Sequence, residues 1–92
     1  MGEYLPNNAG MVLMNKIMKL SQLGTGETAQ IVRLENVEAV KRRLMDLGAV
    51  EGTEISCLFT SPSKDPRAYS IKGAVIAIRN SDAERILVAK PL

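Results

Sequence analysis

The stretch Leu44-Met45-Asp46-Leu47-Gly48-Ala49-Val50-Glu51-Gly52-Thr53-Glu54-Ile55 constrains the fold more than any other part of the chain. Val37, Val40, Leu44 and Leu47 recur at i, i+3, i+7 and i+10, which is one face of a helix. Gly48 follows where a helix commonly ends on a left-handed residue, a conformation glycine adopts without a Cβ penalty. Gly52 suits a second tight turn. Ile55, Cys57 and Phe59 then alternate with Glu54, Ser56 and Leu58 as a strand does, which places Phe59 in the core. A compact helix-turn-strand unit is the only economical reading.

Around that unit the chain is short. Its 92 residues suffice for one small domain and leave no room for a deep cleft between two lobes. A formal charge of +2 is too small to imply nucleic acid or an anionic membrane. One cysteine cannot form an internal disulfide, which fits a reducing, cytoplasmic setting. No apolar run approaches the roughly 18 residues of a membrane span. Met11 to Leu20 also lacks the basic front and small-residue cleavage site of a signal peptide.

The pattern outside the central unit predicts a mostly β domain. Residues 1–18 read as an N-terminal extension, either disordered or, with Met11, Met14 and Met18 at helical spacing, one short amphipathic helix. The domain proper is expected over residues 19–92, anchored by Leu20 and Leu23. Strands are predicted at Thr28–Leu34, Thr53–Thr60, Arg67–Lys72, Ala74–Arg79 and Ile86–Ala89. Asn36 is placed to cap the helix between the first two, with Glu38 in its first turn. Ser81-Asp82-Ala83-Glu84 has the capping-box spacing and opens a single helical turn before the last strand. Pro62 and Pro66 confine 61–66 to a loop. Five short strands need to curl to hide their edges, so a small barrel is expected.

These segments also carry a family likeness. Leu20-Ser21-Gln22-Leu23-Gly24-Thr25-Gly26-Glu27, Ile31-Val32-Arg33-Leu34, Arg42-Arg43-Leu44-Met45-Asp46-Leu47-Gly48 and Glu51-Gly52-Thr53-Glu54-Ile55 occur in the order found in the FeoA family. A Pro-containing loop, Ala77-Ile78-Arg79 and an acidic turn before Ile86 complete the set. The chain resembles that family from about Lys19 to Lys90. The resemblance implies an SH3-like β-barrel with inserted helices. It also implies work beside FeoB, a membrane permease with a cytosolic GTP-binding domain, in ferrous-iron uptake. The same module resembles the C-terminal domain of iron-dependent repressors, but no helix-turn-helix precedes it here.

The residue inventory argues against catalysis. The chain has no histidine, and Gly24-Thr25-Gly26-Glu27 lacks the lysine and hydroxyl of a phosphate-binding loop. Cys57 reads as a small buried hydrophobe rather than a thiol ligand. The carboxylates are scattered, so neither a metal site nor a cofactor is expected. Three aromatic residues are too few for stacking on nucleic acid or for a Pro-rich peptide groove.

A protein-contact surface remains. Lys41, Arg42 and Arg43 form a basic cluster on the predicted helix, with Lys72 and Arg79 as an extension. Leu47, Gly48 and Gly52 shape the adjoining turn. With the family likeness, Lys41, Arg42, Arg43, Leu47, Gly48 and Gly52 are the candidate docking site for a FeoB-type permease. A metal-sensing module using carboxylates and Cys57 is the alternative, and an RNA-binding barrel ranks third. Barrel edges and the Met-rich extension leave room for self-association.

Overall fold

The computed structural model describes residues 15–60 and 64–91, and all structural statements concern those. The chain runs β1 (Asn15–Lys19), a 3₁₀ turn (Leu20–Gln22), β2 (Thr28–Leu34), α1 (Glu38–Asp46) and β3 (Glu54–Thr60). It continues through β4 (Arg67–Ile71), β5 (Ala74–Ile78), α2 (Asn80–Ala83) and β6 (Ile86–Pro91). The six strands form one antiparallel sheet in the order β1-β6-β2-β3-β4-β5, which is curled but not closed.

One strand more is present than the pattern predicts. Met18 is not helical: β1 pairs along its length with β6, from Asn15 opposite Pro91 to Lys19 opposite Leu87. Its Lys16, Ile17 and Lys19 are exposed, so β1 carries no clean alternation of apolar and polar residues. The backbone ladder holds it, and a ladder leaves no periodic signature in sequence. Met11 and Met14 lie outside the described residues.

The inner face of the sheet closes on Leu20 and Leu23 from the 3₁₀ turn and on Leu44 from α1. Ile31, Ile55, Tyr69, Ile71, Ile86 and Val88 meet them with almost no exposure. Burying each such side chain contributes roughly 1.5–3 kcal/mol. Only part of the expected helix face joins this core. Leu44 is buried and Val40 packs against it, but Val37 and Leu47 are exposed. They are the N-cap and C-cap residues of α1, where the helical spacing no longer applies.

Two β-bulges decide which side chains face inward. On β2 the register slips between Ile31 and Arg33. Ala29, Ile31 and then Leu34 are therefore buried while Val32 and Arg33 face out. On β3 the slip falls between Cys57 and Phe59, so that Cys57 stands opposite Tyr69 but Phe59 opposite Ala68. The extra residue reverses the alternation and turns Phe59 to the outer face, where it is 58% exposed instead of core.

The two predicted caps are also replaced. Asn36 leaves α1 uncapped and donates its side-chain N–H to the Asp82 carbonyl at 3.0 Å, tying the start of α1 to α2. The α2 turn begins at Asn80 with Arg79 as N-cap, so Ser81 lies inside it.

Candidate functional site

The helix and the turn after it are built locally. After Asp46 the chain closes with Gly48 N–H bonded to the Met45 carbonyl and Ala49 N–H bonded to the Leu44 carbonyl. That is the Schellman pattern, and Gly48 occupies its left-handed position at φ +99°. Gly52, at φ +88°, turns the chain again, with Thr53 N–H bonded back to the Val50 carbonyl. Gly52 N–H and the Ile31 carbonyl then join at 2.7 Å, fixing the turn to β2.

The three cations of α1 are thereby spread around the helix, with Lys41 on one flank and Arg42 and Arg43 sharing a shallow face with Glu38 and Asp46. Successive helical residues step by about 100° around the axis. Lys41 borders a groove of about 450 Å³ with Arg33, Leu34, Met45, Val50 and Glu51. Arg42 points to solvent and pairs with Glu38 at 3.8 Å, both side chains largely exposed. Arg43 borders a second groove, of about 270 Å³, together with Leu47, Pro66, Ile78, Arg79 and Asp82. Lys41 and Arg43 thus stand on opposite flanks of the helix. Arg79 joins the Arg43 flank, and Lys72 is exposed on the β4–β5 turn.

The sequence pattern singled out neither Arg33 nor Met45. The signal for Arg33 was the β2 bulge, which no spacing rule announces. Arg33 lies 3.5 Å from Glu35, so the charge on that flank is balanced in part. The apolar floor of Leu34, Met45 and Val50 is what distinguishes it from an ordinary solvated face.

A second polar group lies inside the domain. Arg67 is buried on the inner face of β4 and donates to the Ser21 carbonyl at 3.0 Å and the Leu23 carbonyl at 2.5 Å. It also donates to Cys57 Sγ at 2.9 Å and stacks 5.6 Å from the centre of the Tyr69 ring. Burial pushes the Tyr69 hydroxyl above its ordinary pKa. Cys57 is wholly buried, as its strand position implies, but it is a hydrogen-bond acceptor as well as a hydrophobe. Nearer the surface, Glu27 bonds Lys90 and accepts the Gly24 N–H at 2.6 Å. The Lys90 hydrogen bond, then that of Gly24, holds its carboxyl below the ordinary glutamate range.

Among the described residues no three His, Cys, Asp or Glu side chains stand together as a metal site. None of their helices is long and apolar enough to cross a membrane. What the geometry offers is a curled antiparallel sheet, one docked helix and shallow grooves with charged rims. That is a small SH3-like module.

The comparisons give it a family. A model of the FeoA domain matches residues 18–90. The chain belongs to the FeoA family, which is associated with ferrous-iron transport. It is 37% identical over 71 residues to the "Fe(2+) transport protein A/Fe(2+) transporter FeoB fusion protein" of Porphyromonas gingivalis. That match takes in 77% of this chain and 8% of the much longer fusion protein. The solution structure of FeoA from Chlorobium tepidum superposes with a TM-score of 0.75 at 37% identity, over 82% of this chain and 70% of that one. FeoA of Stenotrophomonas maltophilia, a procaryotic SH3 domain protein determined in complex with zinc, gives 0.70 at 29% identity, over 77% and 88% of the two chains. IdeR of T. acidophilum shares the fold, at 24% identity and a TM-score of 0.70 over 80% of this chain and 34% of that one.

Proposed function

We propose that this chain is a non-catalytic accessory protein of ferrous-iron uptake that binds the cytosolic region of a FeoB-type permease and modulates it. One observation carries the reading. In the Porphyromonas relative, a segment 37% identical to this chain belongs to the same polypeptide as an Fe(2+) transporter FeoB. Covalent linkage raises the effective concentration of two modules that act on each other, without any new contact. A separate chain has to achieve the same by surface affinity.

The α1 surface is the docking site this reading favours. Lys41 and Arg43 border two grooves with apolar floors, and Met45 and Leu47 are about half exposed between charged neighbours. Apolar anchors would supply the affinity, and the cations would steer encounter with an acidic surface. Gly48 and Gly52 act indirectly, by setting where α1 ends and β3 begins.

Capture of the permease from detergent-solubilised, crosslinked membranes tests the proposal, with this protein as bait. The permease should be recovered with wild type. Lys41→Glu and Arg43→Glu, made separately, should identify the flank in use, because only one of the two should lose the permease. Failure to recover any permease with wild type would overturn the proposal. Undiminished capture by both variants would remove the basic residues from it.

A further inference from the structure

The two edges of the sheet are not alike. β1 presents exposed Lys16 and Lys19, the kind of charge that discourages strand addition. β5 is Ala74-Val75-Ile76-Ala77-Ile78, with no charge and no proline, and Val75 is 64% exposed. β5 pairs with β4 and with no other strand among the described residues.

The hairpin fixes which backbone groups face outward. Lys72 and Gly73 form a two-residue turn, both at positive φ, so Ile71 and Ala74 make its first hydrogen-bonded pair. Bonded pairs then alternate, with Tyr69 to Ile76 and Arg67 to Ile78. The N–H and C=O groups of Val75 and Ala77 therefore point away from β4. Ala74, Val75 and Ala77 are exposed, and α1 approaches this edge across the groove that Arg43 and Leu47 share with Ala77.

We propose that β5 pairs antiparallel with β5 of a second copy, about a two-fold axis at Ile76. Val75 then faces Ala77 of the other copy and Ala77 faces Val75, so each outward donor meets an outward carbonyl. The same register sets Ile78 opposite Ala74 and Arg79 opposite Gly73. No like charges are opposed, and no outward group on Val75 or Ala77 is left over. A second copy is singled out because an uncharged, apolar edge meets its own image without repulsion and continues the apolar outer face across the axis. Phe59, Ala68 and Ala77 already lie side by side across β3, β4 and β5 on the outer face. Pairing extends that apolar row onto Val75 of the other copy.

Sedimentation velocity across a wide concentration range tests this with wild type and Ala77→Pro. The proline removes only a donor directed at the open edge and spares the ladder to β4. Wild type should self-associate, and Ala77→Pro should do so at least about tenfold more weakly. Val75→Lys, at an exposed position, should weaken association too and guards against a folding defect in the proline variant. Ile76→Cys should form a symmetric disulfide-linked dimer on mild oxidation, because facing non-hydrogen-bonded residues approach most closely. The native Cys57 is buried and stays silent. A wild type that stays monomeric at every concentration would overturn the proposal. So would association that survives both edge variants, or β5 amides protected from exchange only when another protein is added.

Discussion

Two turns in this domain are tied to the rest of the fold by different means. The connection from α1 to β3 is local: Gly48 and Gly52 adopt positive φ, and hydrogen bonds to Leu44, Met45 and Val50 close it. The 3₁₀ turn at Leu20–Gln22 has two local bonds, Leu23 N–H to the Leu20 carbonyl and Lys19 N–H to the Gln22 side chain, but it is also clamped from far along the chain, by Arg67 bonding the Ser21 and Leu23 carbonyls. The first is anchored to β2 through the backbone, Gly52 N–H to the Ile31 carbonyl, while the second adds to its local bonds a buried side chain from β4. A local turn can be read residue by residue, whereas a distant clamp has no neighbouring pattern to betray it.

The sharpest way to break this contrast is to remove the clamp. Arg67→Ala should destabilise by about 3–5 kcal/mol, since it leaves two carbonyls without their donor and opens a cavity. Arg67→Met keeps most of the volume and should lose roughly half as much. Chemical denaturation of both variants measures this, and a loss under about 1 kcal/mol for Arg67→Ala would show that the clamp is dispensable. Gly48→Val comes next, at about 1–3 kcal/mol. A Cβ there would meet Ile71 only at 3.5 Å, an ordinary contact, so the cost is conformational. Gly48→Asn should recover part of it, because asparagine tolerates the left-handed region. A wild-type melting curve for Gly48→Val would refute the backbone account.

Acid offers a third probe, away from both turns. Glu27 has a lowered pKa in the folded chain, so its contribution to stability is present above the unfolded value and fades as pH falls through the folded one. Wild type should therefore lose stability below about pH 4, and Lys90→Met should reduce that dependence. Melting curves at neutral pH and at about pH 3 would show it. The smallest effect belongs to Arg42→Ala, whose exposed pair with Glu38 is worth a few tenths of a kcal/mol.

The legible parts of the fold share one property: their cause lies within a few residues of their effect. Gly48, β2 and the β4–β5 hairpin follow from spacing and turn chemistry. Phe59 does not, because a single inserted residue on β3 reverses the alternation from which its burial was inferred. Val37 and Leu47 mislead for a related reason, lying on the helical spacing but beyond the helix. Arg67 did leave a trace, since it shares the parity of the buried Tyr69 and Ile71. At the candidate site, residue identity was readable and direction was not. Lys41, Arg42 and Arg43 are adjacent in sequence, yet the helical step sets Lys41 on one flank and leaves Arg42 and Arg43 to share another surface.

The pairing of β1 with β6 has a mechanical consequence. Asn15 stands opposite Pro91, so both ends of the described fold leave from one corner of the sheet. Tension applied between those ends loads the β1–β6 ladder one bond at a time, as a zipper opens, instead of shearing all its bonds together. Such a load peels β1 away first, while β2 through β5 and α1 carry almost none of it. A tether at this corner could be pulled without disturbing the grooves beside α1.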